Sequence, residues 1–540
     1  LNRVFDLACP FGKWSRDTHM ITTKPATVGH GGCPQAAHHH IRLPRFGGRS
    51  PEFNGMPPRL FNDVDACGEG GFLVRCRFVW FLPPRGGERM EDGGSGGKSR
   101  NGRAETLSIQ SPEEAPHDYA QSSAHATDTD SWQQVGALLV TSFNCGVILA
   151  FSNLMVAPLG WGWGAGCLLS VAALTAYANW LLADFHYLDG RRFIRYRDLM
   201  GFLFGREMYY VTWVFQFLAL ILTNMGTILL GARALKEMDS EVRESPLRLQ
   251  YFAVITGAAY CFYSFLVPTV SAMKNWLGIS AILTLLYIVP VMVILVRDAC
   301  TAGNTRDYDI KGSSVGKVFD AFGAISIVIF CNTSGMLPEI QSTLRRPAVK
   351  NMKKALAVQF SAGLLIYYAV TVGGYWAYGS AVSEYLPKHF SAAPKWLNLL
   401  LNTAVFLQSA ISQHVFIAPV HEALDTKFLH LHKNMYSPEN IWRRFLLRAL
   451  LFTVNTLAAA ALPFMGDFMN LIGSFMLVPL TLTFPSMIFI KVKGHAAGVG
   501  AMAWHRGLVV FSILLAAMTT ISAVRFIVNH VRDYQLFADT

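Results

Sequence analysis

The stretch Phe143-Asn144-Cys145-Gly146 interrupts a long apolar segment with small and polar residues, and Cys331-Asn332-Thr333-Ser334-Gly335 interrupts another. About eleven such segments follow one another between Trp132 and Val528. Each is close to or longer than the roughly 20 residues that a helix needs to cross a bilayer. Lipid offers no partner for a free N–H or C=O group, so an interruption at this depth indicates a binding site between unwound half-helices.

The positions of the segments predict the architecture. The two interruptions fall in the first and the sixth segments, which are five segments apart. This spacing predicts an all-α polytopic membrane protein with two inverted repeats of five helices and broken helices 1 and 6. The predicted segments are 134–158, 160–184, 207–235, 249–269, 277–297, 317–338, 355–378, 396–420, 445–463, 468–490 and 507–528.

Composition and charge agree with a membrane protein. Of the 540 residues, 52% are hydrophobic and 15% are charged, against about 25% charged residues in an ordinary soluble domain. The net charge is +11, but Lys and Arg gather in short connections rather than on one face, so we predict no nucleic-acid partner. The basic clusters follow segments two, six, eight and ten. The positive-inside rule therefore predicts a cytoplasmic N-terminus and an extracellular C-terminus.

Residues 1–130 differ in composition from the rest of the chain. They are rich in Gly, Pro and Arg, and they contain no apolar run that is long enough to span a membrane. We predict a disordered leader over this range and a transmembrane domain over 131–540. The chain begins with Leu1, and we expect part of the leader to be a gene-model artefact, with Met90 as the native start. Mass spectrometry of the native N-terminus tests this expectation.

The two interruptions contain no Asp, Glu, Lys or Arg. Helix termini and neutral side chains suit a zwitterion, whereas a net charge at mid-membrane would be left uncompensated. The nine cysteines are scattered without the spacing of a metal site or a disulfide framework. Ordinary packing is the alternative role for each predicted substrate-binding residue. Those residues are Phe143, Asn144, Cys145, Gly146, Phe151, Gln216, Asn332, Thr333, Ser334 and Gln408.

Transport against a gradient would need a group that changes protonation during the cycle. Glu339 and His414 are the candidates. For Glu339 the alternative is a contact to Arg345 or Arg346, and for His414 it is a purely structural role. His421 and Asp425 suggest a membrane-embedded enzyme as another class. No nucleophile or metal cluster accompanies them in the sequence, and we interpret them as a pair at the end of a helix.

Several stretches resemble the plant proline transporters of the amino acid/auxin permease family. They include Thr141-Ser142-Phe143-Asn144-Cys145-Gly146 and His421-Glu422-Ala423-Leu424-Asp425-Thr426-Lys427-Phe428. The resemblance runs from about Asp130 to Thr540. It implies a fold like that of the bacterial leucine transporter and import of proline, glycine betaine and γ-aminobutyrate at the plasma membrane. The proton gradient would be the driving force, with protons as co-substrate and no cofactor. A broader neutral amino acid permease and a solute-sensing receptor remain alternatives.

Overall fold

The computed structural model describes residues 123–530 and residue 537, except residues 126, 151, 301–305, 334, 384, 463 and 465–468. Its eleven helical spans are long and apolar enough to cross a membrane, which confirms the predicted fold class. We number them span 1 to span 11. They are Trp132–Leu149, Gly160–Asp184, Arg206–Val242, Leu249–Leu266, Ser271–Cys300, Ser314–Gln341, Ala348–Ala381, Lys395–Phe428, Pro438–Ala461, Met469–Lys493 and Val499–Asn529.

Several spans are composed of more than one helical piece. Short 3-10 helices occupy Gly146–Leu149, Ser271–Met273, Gly379–Ala381 and Leu386–Ala392, and π-helical turns occupy Gln359–Gly363, Ile472–Leu477 and Pro479–Thr483. Strands Tyr187–Leu188 and Arg191–Arg192 pair antiparallel between spans 2 and 3. The α-helices are Trp132–Phe143, Ser152–Met155, Gly160–Asp184, Tyr196–Phe204, Arg206–Val242, Leu249–Leu266, Lys274–Cys300, Ser314–Asn332, Leu337–Gln341, Ala348–Val358, Leu364–Tyr378, Lys395–Phe428, Pro438–Ala461, Phe484–Lys493 and Val499–His530.

Spans 1 and 6 are interrupted where the sequence predicts. In span 1 the α-helix ends at Phe143, and a short 3-10 helix begins at Gly146. In span 6 the α-helix ends at Asn332, and the next helix begins at Leu337. Gly335 lies in this second gap with a φ of +65°, a left-handed conformation that costs glycine little and other residues more.

The stretch before span 1 packs against one end of the bundle. The backbone N–H groups of Asp128 and Thr129 donate to the carbonyl oxygens of Ser342 and Thr343 at 3.2 and 2.9 Å. Arg192 forms an ion pair with Asp128 at 2.7 Å. The backbone bonds reach the loop after span 6, and the ion pair reaches the connection between spans 2 and 3. The leader over residues 1–130 stays a prediction. Residues 1–122 lie outside the described residues.

A close contact between spans 6 and 10 gives a first testable prediction. A Cβ atom at Gly473 would lie 2.5 Å from the carbonyl oxygen of Ser326, which is backbone and has little freedom to move. We expect Gly473→Ala to destabilise the protein by about 1–3 kcal/mol through overpacking. Gly278→Ala in span 5 is the matched control, because nothing lies within 4 Å of a Cβ atom there. The melting temperature of each purified variant in detergent measures the effect. Equal melting temperatures for the two variants would contradict the expected contact.

Candidate functional site

A small cavity lies between the two interruptions. Its volume is about 40 Å³, whereas roughly 10–15 Å³ is enough to hold one water molecule. The described side chains that line it include no Asp, Glu, Lys or Arg. The lining residues are Ser142, Phe143, Cys145, Val147, Ile148, Ala219, Leu220, Thr223, Phe330, Cys331, Thr333, Gln359, Phe416 and Leu477.

Three of the predicted residues line this cavity directly, namely Phe143, Cys145 and Thr333. Phe143 is positioned by an edge-on contact with the Phe360 ring, whose centroid is 5.5 Å away. The Thr333 hydroxyl accepts a hydrogen bond from the Thr481 hydroxyl at 3.1 Å. The rings of the cavity can attract a cationic group through their faces without an acidic side chain. Phe151 and Ser334 lie outside the described residues.

Other predicted residues hold the span 1 interruption in place instead of lining the cavity. The Asn144 amide donates to the carbonyl oxygens of Val140 and Gly363 at 3.0 and 3.1 Å. The Gly146 N–H donates to Oε1 of Gln408 at 3.2 Å. These bonds satisfy backbone groups that the interruption would otherwise leave without a partner in an apolar interior.

A second set of bonds supports the span 6 interruption. The Gln216 amide donates both to the carbonyl oxygen of Gly335 at 3.0 Å and to Oε1 of Glu339 at 2.9 Å. The Tyr196 N–H donates to the same carboxylate oxygen at 3.0 Å. Asn332 donates to the Val328 carbonyl at 2.7 Å, within its own helix. Gln216 of span 3 is therefore bound both to the span 6 interruption, at Gly335, and to the helix that follows it, at Glu339.

The contacts of Glu339 differ from the alternative drawn from the sequence. Its described hydrogen bonds go to Tyr196 and Gln216, whereas Arg345 donates to the Thr129 carbonyl at 2.8 Å. Glu339 also lines a second cavity, about 50 Å³ by the same measure, which the stretch before span 1 covers. There the Ser123 hydroxyl donates to Glu422 at 2.8 Å. Span 6 thus lines the central cavity with residues up to Thr333 and the second cavity with residues from Met336 onward.

Gln359 also lines the central cavity, although it is not one of the residues predicted from the sequence. Gln359 begins the π-helical turn Gln359–Gly363 in span 7 and is 5% exposed. Such turns occur often at functional sites. The carbonyl oxygen of Gly363, at the end of this turn, accepts a hydrogen bond from the Asn144 amide at 3.1 Å. A lone glutamine in an apolar segment was the available signal, since intramembrane polar residues are expensive.

Two histidines lie away from the central cavity. His414 is fully buried in span 8, with Nδ1 3.2 Å from the Ser264 hydroxyl. His186 lies between spans 2 and 3 and accepts a hydrogen bond from Arg192 at 3.1 Å. Burial, with a smaller contribution from Arg192, lowers the pKa of His186 to about 3. His186 is therefore neutral near pH 7 and is not a group that would exchange a proton there.

The sequence is similar to those of known transporters. Residues 128–525 match the family of transmembrane amino acid transporter proteins. The chain is 28% identical over 426 residues to GABA transporter 1 of Arabidopsis thaliana, covering 76% of this chain and 93% of that protein. It is 23% identical over 399 residues to lysine histidine transporter-like 1 of the same plant, covering 71% and 85%. With amino acid permease 8, also from Arabidopsis thaliana, it shares 23% over 449 residues, covering 75% and 92%. The chain belongs to the transmembrane amino acid transporter protein family.

Proposed function

We propose that the protein is a proton-coupled importer of small zwitterions, with proline, glycine betaine and γ-aminobutyrate as substrates. The observation that carries this proposal is the central cavity, whose described lining is polar in places but uncharged. A zwitterion has no net charge to compensate, whereas an anionic or cationic solute would leave an unbalanced charge in an apolar interior. The proposal places the N-terminus in the cytoplasm, the C-terminus outside and the protein in the plasma membrane.

The shared chemistry of the three solutes supports their grouping. Each carries a carboxylate and a positively charged nitrogen, but glycine betaine has no N–H group to donate. A common site must hold its cation by aromatic faces and carbonyl dipoles. Phe143, Phe330 and Phe416 supply the aromatic faces here. The similarity to a protein named GABA transporter 1 supports γ-aminobutyrate in particular.

The coupled proton is part of the same proposal. Glu339 is a candidate because its carboxylate connects the span 6 interruption to span 3 through Gln216. A change in its protonation would alter those bonds and with them the position of the interruption. His414 is the other candidate. Sodium as the coupling ion is the alternative that a transport assay must distinguish.

Uptake of labelled solutes by yeast that lacks its own proline uptake tests the proposal. Cells that express the full chain should take up proline, γ-aminobutyrate and glycine betaine with saturation and mutual competition. Uptake should rise at acidic external pH, collapse with a protonophore and be unaffected by removal of sodium. Uptake of bulky neutral amino acids at similar rates would favour a broad permease. Solute binding by surface-located protein without uptake would refute the transporter and favour a sensor.

A further inference from the structure

A continuous set of buried polar side chains runs through spans 3, 4, 8 and 9. Asn455 donates to Asn224 at 2.8 Å, and Asn224 donates to Gln413 at 2.9 Å. Gln413 donates to the Ser264 hydroxyl at 3.2 Å, and that hydroxyl lies 3.2 Å from Nδ1 of His414. The set includes Asn224 of span 3, and the preceding residue of that helix, Thr223, lines the central cavity.

One end of the set is a pair of fully buried imidazoles. The rings of His414 and His421 have their centroids 5.6 Å apart, and both residues are 0% exposed. Neither nitrogen of His421 has a hydrogen-bond partner among the described residues, and neither does Nε2 of His414. Three unpartnered ring nitrogens in one buried place are costly and call for a function or an unseen ligand.

The charges around the imidazole pair are balanced locally. Asp425, one helical turn beyond His421, binds Arg448 through both carboxylate oxygens at 3.0 and 2.7 Å. The His125 ring lies 3.0 Å from the same carboxylate. Among the described residues, the titratable and charged groups that act on the pair from its own helix and its neighbours are His125, Tyr263, Asp425 and Arg448.

We infer that the His414–His421 pair binds the coupled proton. This assignment rests on the proposed proton-coupled transport. The ligand is one proton, which the two imidazoles would hold together with the water that their unpartnered nitrogens can bind. The proton arrives with the solute from the outer side, converts one neutral imidazole to imidazolium and leaves to the inner water. No other reactant is consumed.

The hydrogen-bonded set explains how protonation would reach the central cavity. When Nδ1 of His414 has a lone pair, it accepts a hydrogen bond from the Ser264 hydroxyl. When that nitrogen is protonated it donates instead, and the Ser264 hydroxyl hydrogen must turn to another acceptor. Ser264 is also the acceptor for Gln413, which accepts from Asn224 beside the cavity. A proton on the pair therefore changes the bonds that position span 3 at the cavity.

Transport by purified full-length protein in liposomes tests the assignment. The variants are His414→Gln, His421→Gln and His421→Asn, with His505→Gln as the matched control, since His505 is also buried but packs against Tyr177 and Phe489 elsewhere. Two readouts are compared for labelled proline and labelled γ-aminobutyrate. One is exchange of labelled for unlabelled solute without a pH gradient, and the other is accumulation driven by a pH gradient.

We expect the His414 and His421 variants to keep exchange within about twofold and to lose gradient-driven accumulation by at least about tenfold. The control should keep both activities. Variants that still accumulate solute would overturn the assignment. Variants that lose exchange together with accumulation would also overturn it, because that result indicates a structural role for the histidines. If the wild-type protein exchanges solute but does not accumulate it in response to a pH gradient, transport is not coupled to protons. That result would refute both the proton coupling in the proposed function and the assignment of the His414–His421 pair. A wild type that exchanges neither solute refutes both.

Discussion

Replacing Asp425 with alanine is expected to destabilise the transporter severely. Asp425 and Arg448 are both 0% exposed and are joined by two hydrogen bonds of 3.0 and 2.7 Å. Removal of one partner leaves a buried, unpaired charge, which typically costs about 3–5 kcal/mol. This loss is a large fraction of the total stability of many proteins, about 5–15 kcal/mol. Surface expression and monodispersity in detergent measure the effect, and both should fall close to background.

A double variant separates the cost of an unpaired charge from a need for the ion pair itself. Asp425→Leu together with Arg448→Met removes both charges, and replacement of a whole buried pair by apolar residues is often neutral or stabilising. We expect the double variant to recover most of the surface expression that Asp425→Ala loses. Normal expression of Asp425→Ala alone would show that the pair is not buried as described.

Filling the central cavity is expected to stop transport while the protein still reaches the membrane. Ala219 in span 3 lines the cavity and is 2% exposed. A phenylalanine at this position would occupy the space that the solute needs. Exclusion of the solute from this space should lower uptake by about tenfold or more. The overpacking itself costs about 1–3 kcal/mol of folding free energy, which many proteins tolerate. Initial rates of labelled proline and γ-aminobutyrate uptake, normalised to surface protein, measure the effect.

The neighbouring residue supplies a matched control for this variant. Leu218 lies on the outer face of the same helix and is 40% exposed, where lipid can accommodate a larger ring. Leu218→Phe should transport at close to the wild-type rate. Full activity of Ala219→Phe would rule out the central cavity as the solute pathway. If Ala219→Phe does not reach the cell surface but Leu218→Phe does, the smaller substitution Ala219→Leu is tested in its place. That variant should raise the Michaelis constant for uptake.

Local sequence patterns were sufficient to predict the membrane spans and the positions of their interruptions. The apolar runs and the small polar residues at Asn144 and Gly335 are properties of a few neighbouring positions, and a bilayer leaves few other structures for them to form. The contacts that precede span 1 were not predicted, because the backbone N–H groups of Asp128 and Thr129 donate to a loop more than 200 residues later in the chain. No local pattern identifies such partners.

The candidate site was predicted only in part for the same reason. Phe143, Cys145 and Thr333 line the cavity, but the π-helical turn that brings Gln359 to it depends on packing that no single segment reveals. Asp425 was interpreted with His421 as a pair at a helix end. The structure corrects this interpretation, because both are 0% exposed and Asp425 pairs with Arg448 of span 9.

The pairing of the stretch before span 1 with the loop after span 6 has a kinetic consequence. Asp130 and Leu344 form a parallel bridge, and Arg345 donates its backbone N–H to the Asp130 carbonyl at 2.9 Å. The beginning of one interrupted span is thereby tethered to the end of the other. Any movement that separates the start of span 1 from the end of span 6 must break several hydrogen bonds together, which slows such a movement.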